Sequence, residues 1–220
     1  MQMNGFVTIA ASEEGTPFVE AYGLLLVSVM LGNDGKPPRV VAVSAAQGGD
    51  GASTTALNLA MMMARTGRPT ALVDANLRQP ELHKAFGLSP SPGLAEVLKG
   101  QAEPKNATVP TRIPHLSLMP AGKAGVPVPL LNQALGDVFR VMRERYDLVV
   151  IDTPPLLQYP DALYVGKCAD GVLMVVPADG ASRRGQQEAR RLLDRVEARV
   201  LGTVLNRVRL RERTPLVGVY

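Results

Sequence analysis

The chain has 220 residues, 46% of them hydrophobic and 20% charged, a mixture that builds one ordinary globular core and excludes a low-complexity chain. The net charge of +4 is mild, and aromatic residues make up 4%, too few for base-stacking platforms, so nucleic acid is disfavoured as a partner. The lone Cys168 excludes an internal disulfide framework, and no apolar run approaches the ~18–20 residues a spanning helix needs. The first residues lack the basic region and cleavage-site pattern of a signal peptide and a single cysteine suits a reducing compartment, so a cytoplasmic location is the expectation.

Residues 1–38 read as an N-terminal segment with an apolar helical patch over 20–31, closed by the turn cluster Asn33-Asp34-Gly35-Lys36-Pro37-Pro38. A β-branched run over 39–44 predicts a buried parallel strand, and a Gly-rich turn leads from it into a helix over 53–65. The alternation continues with a strand at 70–74, short helices at 80–86 and 93–99, a strand at 115–120 and a helix at 129–145. Residues 147–152 are again strand-like, then a helix at 161–169, a strand at 171–176, a helix at 183–198 and a last strand at 200–206. Strands alternating with helices predict a single α/β domain over 39–208, with a mostly parallel, doubly wound sheet. Residues 209–220 follow as a basic tail.

In such a sheet ligands sit beyond the carboxyl ends of the strands, and the informative residues fall there. The loop Gln47-Gly48-Gly49-Asp50-Gly51-Ala52-Ser53-Thr54 places glycines where backbone N–H groups can curl around an anion, just before a helix N-terminus. Measured against G-x-x-x-x-G-K-[ST], Gly51 and Ser53 are in place but the lysine position is Ala52. A tight turn without a ligand is the plain alternative. Two hydrophobic strands end on carboxylates, at Asp74 and Asp152, as metal-positioning acids at a nucleotide site do, although a strand-end Asp often serves only as a helix cap. Asn206 ends the last strand, where its amide can meet a base edge or simply form a turn.

His83 and His115 have no clustered partners of the kind zinc requires. Cys168 reads as a small residue of a helix end, Met61, Met62 and Met63 as core filling, and Gly122-Lys123-Ala124-Gly125 as an exposed loop. The arginines from Arg183 to Arg199 read as a solvated helix face or as a surface for anionic lipid.

Together these loops resemble the cytoplasmic kinase domain of the bacterial tyrosine kinases of capsule and exopolysaccharide export, within the deviant P-loop partitioning ATPases. The likeness runs from about Glu20 to Val208 and rests on Val73-Asp74-Ala75-Asn76-Leu77-Arg78-Gln79-Pro80, on Ile151-Asp152-Thr153-Pro154-Pro155 and on Leu201 to Val208. It implies a P-loop NTPase-like fold and ATP or ADP with Mg2+ held by Gly48, Gly49, Asp50, Gly51, Ala52, Ser53, Thr54, Arg78 and Asn206, with Ser53, Asp74 and Asp152 on the metal. It also implies catalytic roles for Asp74 and Asp152, a membrane-anchored polysaccharide co-polymerase as partner, homo-oligomer formation, and recruitment to the inner face of the membrane.

Departures from that pattern are Ala52 for the lysine, Asn76 for the second acid and Gln47 at the partitioning ATPases' extra lysine. Gly23 and Leu26 stand in an N-terminal motif that resembles an arginine-bearing oligomerisation motif, and the tyrosine-rich tail is reduced to Tyr220, the phosphoacceptor candidate. Loss of one charged donor typically costs about 10²–10³-fold in rate, and an amide at Asn76 cannot accept the tyrosine proton, so little kinase activity is expected unless Lys84, Arg78 or a residue of a partner chain supplies another cation. The expectation is a degenerate, pseudokinase-like regulator or partner in polysaccharide export, with nucleotide bound weakly or not at all. The alternatives are an active ATP-dependent tyrosine autokinase and a partitioning-type localisation factor that binds DNA or membrane.

Overall fold

The computed structural model describes residues 3, 5–31, 36–123 and 128–208. Tyr220 and the basic tail lie outside the described residues. Strands β1 (Val40–Ala45), β2 (Thr70–Asp74) and β5 (Leu148–Asp152) are buried along their whole length, which is why they read as continuous apolar runs instead of alternating ones. With β3 (Val109–Pro110), β4 (Leu116–Met119), β6 (Gly171–Pro177) and β7 (Val200–Asn206) they form a 7-stranded sheet in the order β3-β4-β2-β5-β1-β6-β7. All pairings are parallel except that of the short edge strand β3 with β4.

Alternate residues of β1 feed opposite cores. Val41 and Val43 pack with α1 (Pro17–Leu31), α2 (Ala52–Arg65) and α3 (Leu82–Phe86). Val40 and Ala42 pack with α4 (Leu94–Leu98), α5 (Pro104–Ala107), α6 (Val128–Arg145), α7 (Asp161–Cys168) and α8 (Arg183–Arg195). The helical segments expected from sequence are present. The structure adds a 3-10 turn (Ile9–Ala11), α5 and β3, and it extends the first helix back to Pro17.

The N-terminal segment is tied to the domain through Asn58 of α2, which is fully buried. Its Oδ1 accepts from the Ile9 amide at 2.8 Å, and its Nδ2 donates to the Val7 and Thr54 carbonyls at 2.9 and 3.0 Å. Arg65 donates to the Ile9 carbonyl at 2.9 Å. On α1, Val19, Leu25, Leu26 and Val29 face the core, whereas Leu24, Val27 and Leu31 are 46%, 53% and 70% exposed. Among the described residues no helix is long and apolar enough to cross a membrane.

Candidate nucleotide site

The centre of the sheet sets the site. β5 lies between β1 and β2, so the loop leaving β1 stands beside the ends of both acid-tipped strands. Asp74 and Asp152 are register partners across β2 and β5, and their side chains are buried together, at 0% and 2% exposure. Direct neighbours in adjacent strands lie about 4.8 Å apart, close enough for two like charges to repel strongly in a dry environment.

Burial pushes the Asp74 carboxyl up to about 7, with amide hydrogen bonds from Leu82 (3.2 Å to Oδ2) and Asn76 (3.1 Å to Oδ1) only partly offsetting it. Burial, then the neighbouring Asp74 charge, holds Asp152 well above the usual carboxylate range, and the Ser53 hydroxyl opposes that shift. Asp152 Oδ1 is buried with no hydrogen-bond partner. A buried, orphaned carboxylate oxygen beside a second acid and a serine hydroxyl fits a divalent cation, which would restore the missing partner. Among the described residues no group of three or more His, Cys, Asp and Glu side chains converges. A two-carboxylate, one-hydroxyl set suits Mg2+, which completes its shell with water and substrate phosphates. Ser53, Asp74 and Asp152 would hold that ion.

Above the acids the β1–α2 loop is pinned from outside. Asn206 Nδ2 donates to the Asp50 carbonyl at 2.9 Å, and the Arg207 guanidinium donates to the Gly49 carbonyl. The Gly51 carbonyl accepts from the Thr55 amide and hydroxyl at 3.0 and 2.9 Å, and Asp50 Oδ2 caps the Gln47 amide at 3.1 Å. In a trans peptide the N–H points opposite to the preceding C=O. The amide hydrogens of Asp50, Gly51 and Ala52 are thereby turned away from β7 and from the body of α2. At the start of a helix that orientation makes an anion cradle.

The pinning depends on a glycine. Gly51 has φ of 101°, and a Cβ there would stand 2.0 Å from Asn206 Nδ2. Gly51→Ala is expected to cost about 2 kcal/mol in denaturant unfolding, from the left-handed backbone and the contact together. Asn206→Ala in the same chain should recover the contact share and leave the backbone share. Full recovery, or no loss at all, would overturn the pinning.

The cavity over this loop has a volume of about 730 Å³. Gly48, Gly49, Asp50, Gly51, Ala52, Ser53, Thr54 and Asn76 of the expected set line it, while the acid pair lies buried out of its lining. Arg78 and Asn206 are turned to other partners. Arg78 forms a two-pronged ion pair with the buried Asp161, at 2.8 and 3.1 Å, and lies 5.5 Å over the Tyr159 ring. Sequence reasoning did not anticipate Gly5, Phe6, Gln79, Glu81, Gln158 or Tyr159 in the lining; Lys84, one of the cations it offered as a substitute for the lysine, joins them. No local pattern marks them, since tertiary folding brings them there.

Fold and loop define a P-loop NTPase-type α/β domain. A family model described as the AAA domain matches residues 38–205, and the chain belongs to that family, alongside bacterial tyrosine-protein kinases. It is 29% identical to the tyrosine-protein kinase YwqD of Bacillus subtilis over 212 residues, covering 94% of this chain and 86% of YwqD. It is 31% identical over 184 residues to the succinoglycan biosynthesis transport protein ExoP of Rhizobium meliloti, spanning 81% of this chain but 23% of that longer protein. Among solved structures, the chimerical protein CapA2B2 superposes with a TM-score of 0.82 at 26% identity, over 91% of this chain and 89% of that one. Mycobacterium smegmatis cobyrinic acid a,c-diamide synthase with bound ADP and magnesium superposes at 0.66 and 25% identity, over 77% of this chain and 76% of that one.

Proposed function

We propose that this chain is a pseudokinase-like regulatory subunit of exopolysaccharide or capsule export, which binds an adenine nucleotide with Mg2+ weakly and transfers phosphate poorly or not at all. The observation that carries the reading is an intact cradle and acid pair around two changed positions. Ala52, at the first turn of α2, gives the cavity no cation, and Asn76 lines it with an amide. Phosphoryl transfer is almost wholly positioning and charge complementarity, so a site that keeps its scaffold and loses its charges keeps binding longer than it keeps catalysis.

Support for the polysaccharide setting comes from the likeness to ExoP. In this reading the chain acts in the cytoplasm, docks at the inner face of the membrane on a polysaccharide co-polymerase, and uses the exposed stripe Leu24, Val27 and Leu31 for a homo-oligomer or partner contact. Incubation of the full chain with MgATP, followed by phosphotyrosine detection and ADP release, tests it. The expected result is no phosphotyrosine at Tyr220 and no turnover above background. Tyrosine phosphorylation that disappears in Asp152→Asn would instead establish the autokinase reading.

A further inference from the structure

We propose that Lys84 supplies, from α3, the cation for a bound polyphosphate that the start of α2 does not provide. The inference rests on the nucleotide-binding reading and names the residue that makes it work.

The charge of the cavity sets the problem. Asp50 and Glu81 line it, so a polyphosphate meets acidic side chains there. Among the described lining residues Lys84 is the cation. Two arginines near the loop stand outside that lining: Arg78 reaches Asp161 at 2.8 Å, and Arg207 reaches the Gly49 carbonyl.

Helix α3 holds position 84 firmly. Leu82, Ala85 and Phe86 are buried, which turns Glu81 and Lys84, three residues apart, toward the outside on one face. The Leu82 amide donates to Asp74 Oδ2 at 3.2 Å, so the first turn is anchored on the acid pair itself. At the other end the Gly87 amide donates to the Lys84 carbonyl at 3.2 Å, and the Leu88 amide to the His83 carbonyl at 2.9 Å. Lysine is a point charge with three donors on a flexible stem, and it can meet phosphate oxygens from a different direction than the residue before Ser53 would. A bound polyphosphate would then be gripped by backbone amides from α2 and by Lys84 from α3.

Titration calorimetry of the full chain with MgADP, and separately with magnesium tripolyphosphate, tests this. Lys84→Met is expected to weaken both ligands by about 10- to 100-fold, the worth of one charge-assisted contact. Lys84→Arg should stay within about threefold, and Ala52→Lys added to Lys84→Met should recover the loss. Equal loss for the two ligands separates a phosphate contact from a base contact. Lys84→Gln gives a second neutral variant, and matched melting curves exclude a folding defect. Unchanged affinity in both neutral variants overturns the proposal. Binding by Ala52→Lys when the native chain shows none also overturns it, while leaving the cradle intact. No binding by native chain or Ala52→Lys overturns the nucleotide reading itself.

Discussion

Replacing Asp152 by Asn is expected to raise the melting temperature by about 6–12 °C at pH 8 and to change it little at pH 4.5. Asp74 titrates near 7 in the folded chain against an ordinary 3.8, and Asp152 is shifted in the same direction. Between those values native Asp74 holds a proton that the unfolded chain has released. The stability that the raised Asp74 contributes is therefore fully present below about pH 3.8 and is lost as pH rises through about 7. A shift of this size is worth about 4 kcal/mol at alkaline pH, as an order of magnitude. The Asp152→Asn change removes a carboxyl that can ionise beside Asp74, keeps the shape and offers an amide to Asp74. A recovery of about 3 kcal/mol corresponds to the stated temperature rise for a domain of this size. Magnesium chloride at pH 8 should raise the melting temperature of the native chain and leave that of Asp152→Asn nearly still. A stabilisation of equal size at both pH values would show that charge on this pair is not its source.

Much of the site was legible because its signals are local. A buried parallel strand needs both faces apolar, so 70–74 and 148–152 announce themselves as short apolar runs, and an acid at the last position stands out at once. A strand, a glycine turn and a helix in succession likewise mark the cradle whatever residue occupies position 52. The edge of the sheet was not legible. Pro104–Ala107 is a single helical turn, and Val109–Pro110 pairs antiparallel with β4 through two residues, one of them a proline; neither is long enough to carry a period.

Long-range contacts hid the rest. Arg78 finds Asp161 83 positions away, and Asn206 finds the Asp50 carbonyl 156 positions away. Asn206 reads from sequence as meeting a base edge or forming a turn, and in the structure its amide donor fixes the direction of the Asp50 carbonyl. Glu81 sits in a stretch that reads simply as a short helix, and although Lys84 reads as a possible substitute cation, only the packing of α3 on the acid pair shows that both line the cavity.

The largest functional change is expected from restoring both altered positions at once. Ala52→Lys alone should tighten MgADP by about 10- to 100-fold and add little phosphoryl transfer, because binding the ground state and the transition state equally does not raise turnover. Asn76→Asp alone should add little either, since a base has nothing to act on when the γ-phosphate is poorly gripped. Combined, they should raise ATP turnover or tyrosine phosphorylation by at least about 10²–10³-fold over the native chain. The substitution at 76 is structurally mild. The Asn76 Oδ1 accepts from the Gln79 amide at 3.2 Å, and an aspartate can accept the same bond, while the Asn76 backbone amide still serves Asp74. Ala52 is the first residue of α2, half-buried at the cavity wall, so a lysine there extends over the cradle without entering the core. Steady-state ADP release, with phosphotyrosine blotting of the native chain, the two single variants and the double variant, measures the effect. Strong activity from Ala52→Lys alone would mean that Asn76 does not limit the chemistry. An inactive double variant that nevertheless binds MgATP tightly would place the remaining deficit outside these loops, at the acceptor tyrosine or in the way copies of the chain meet.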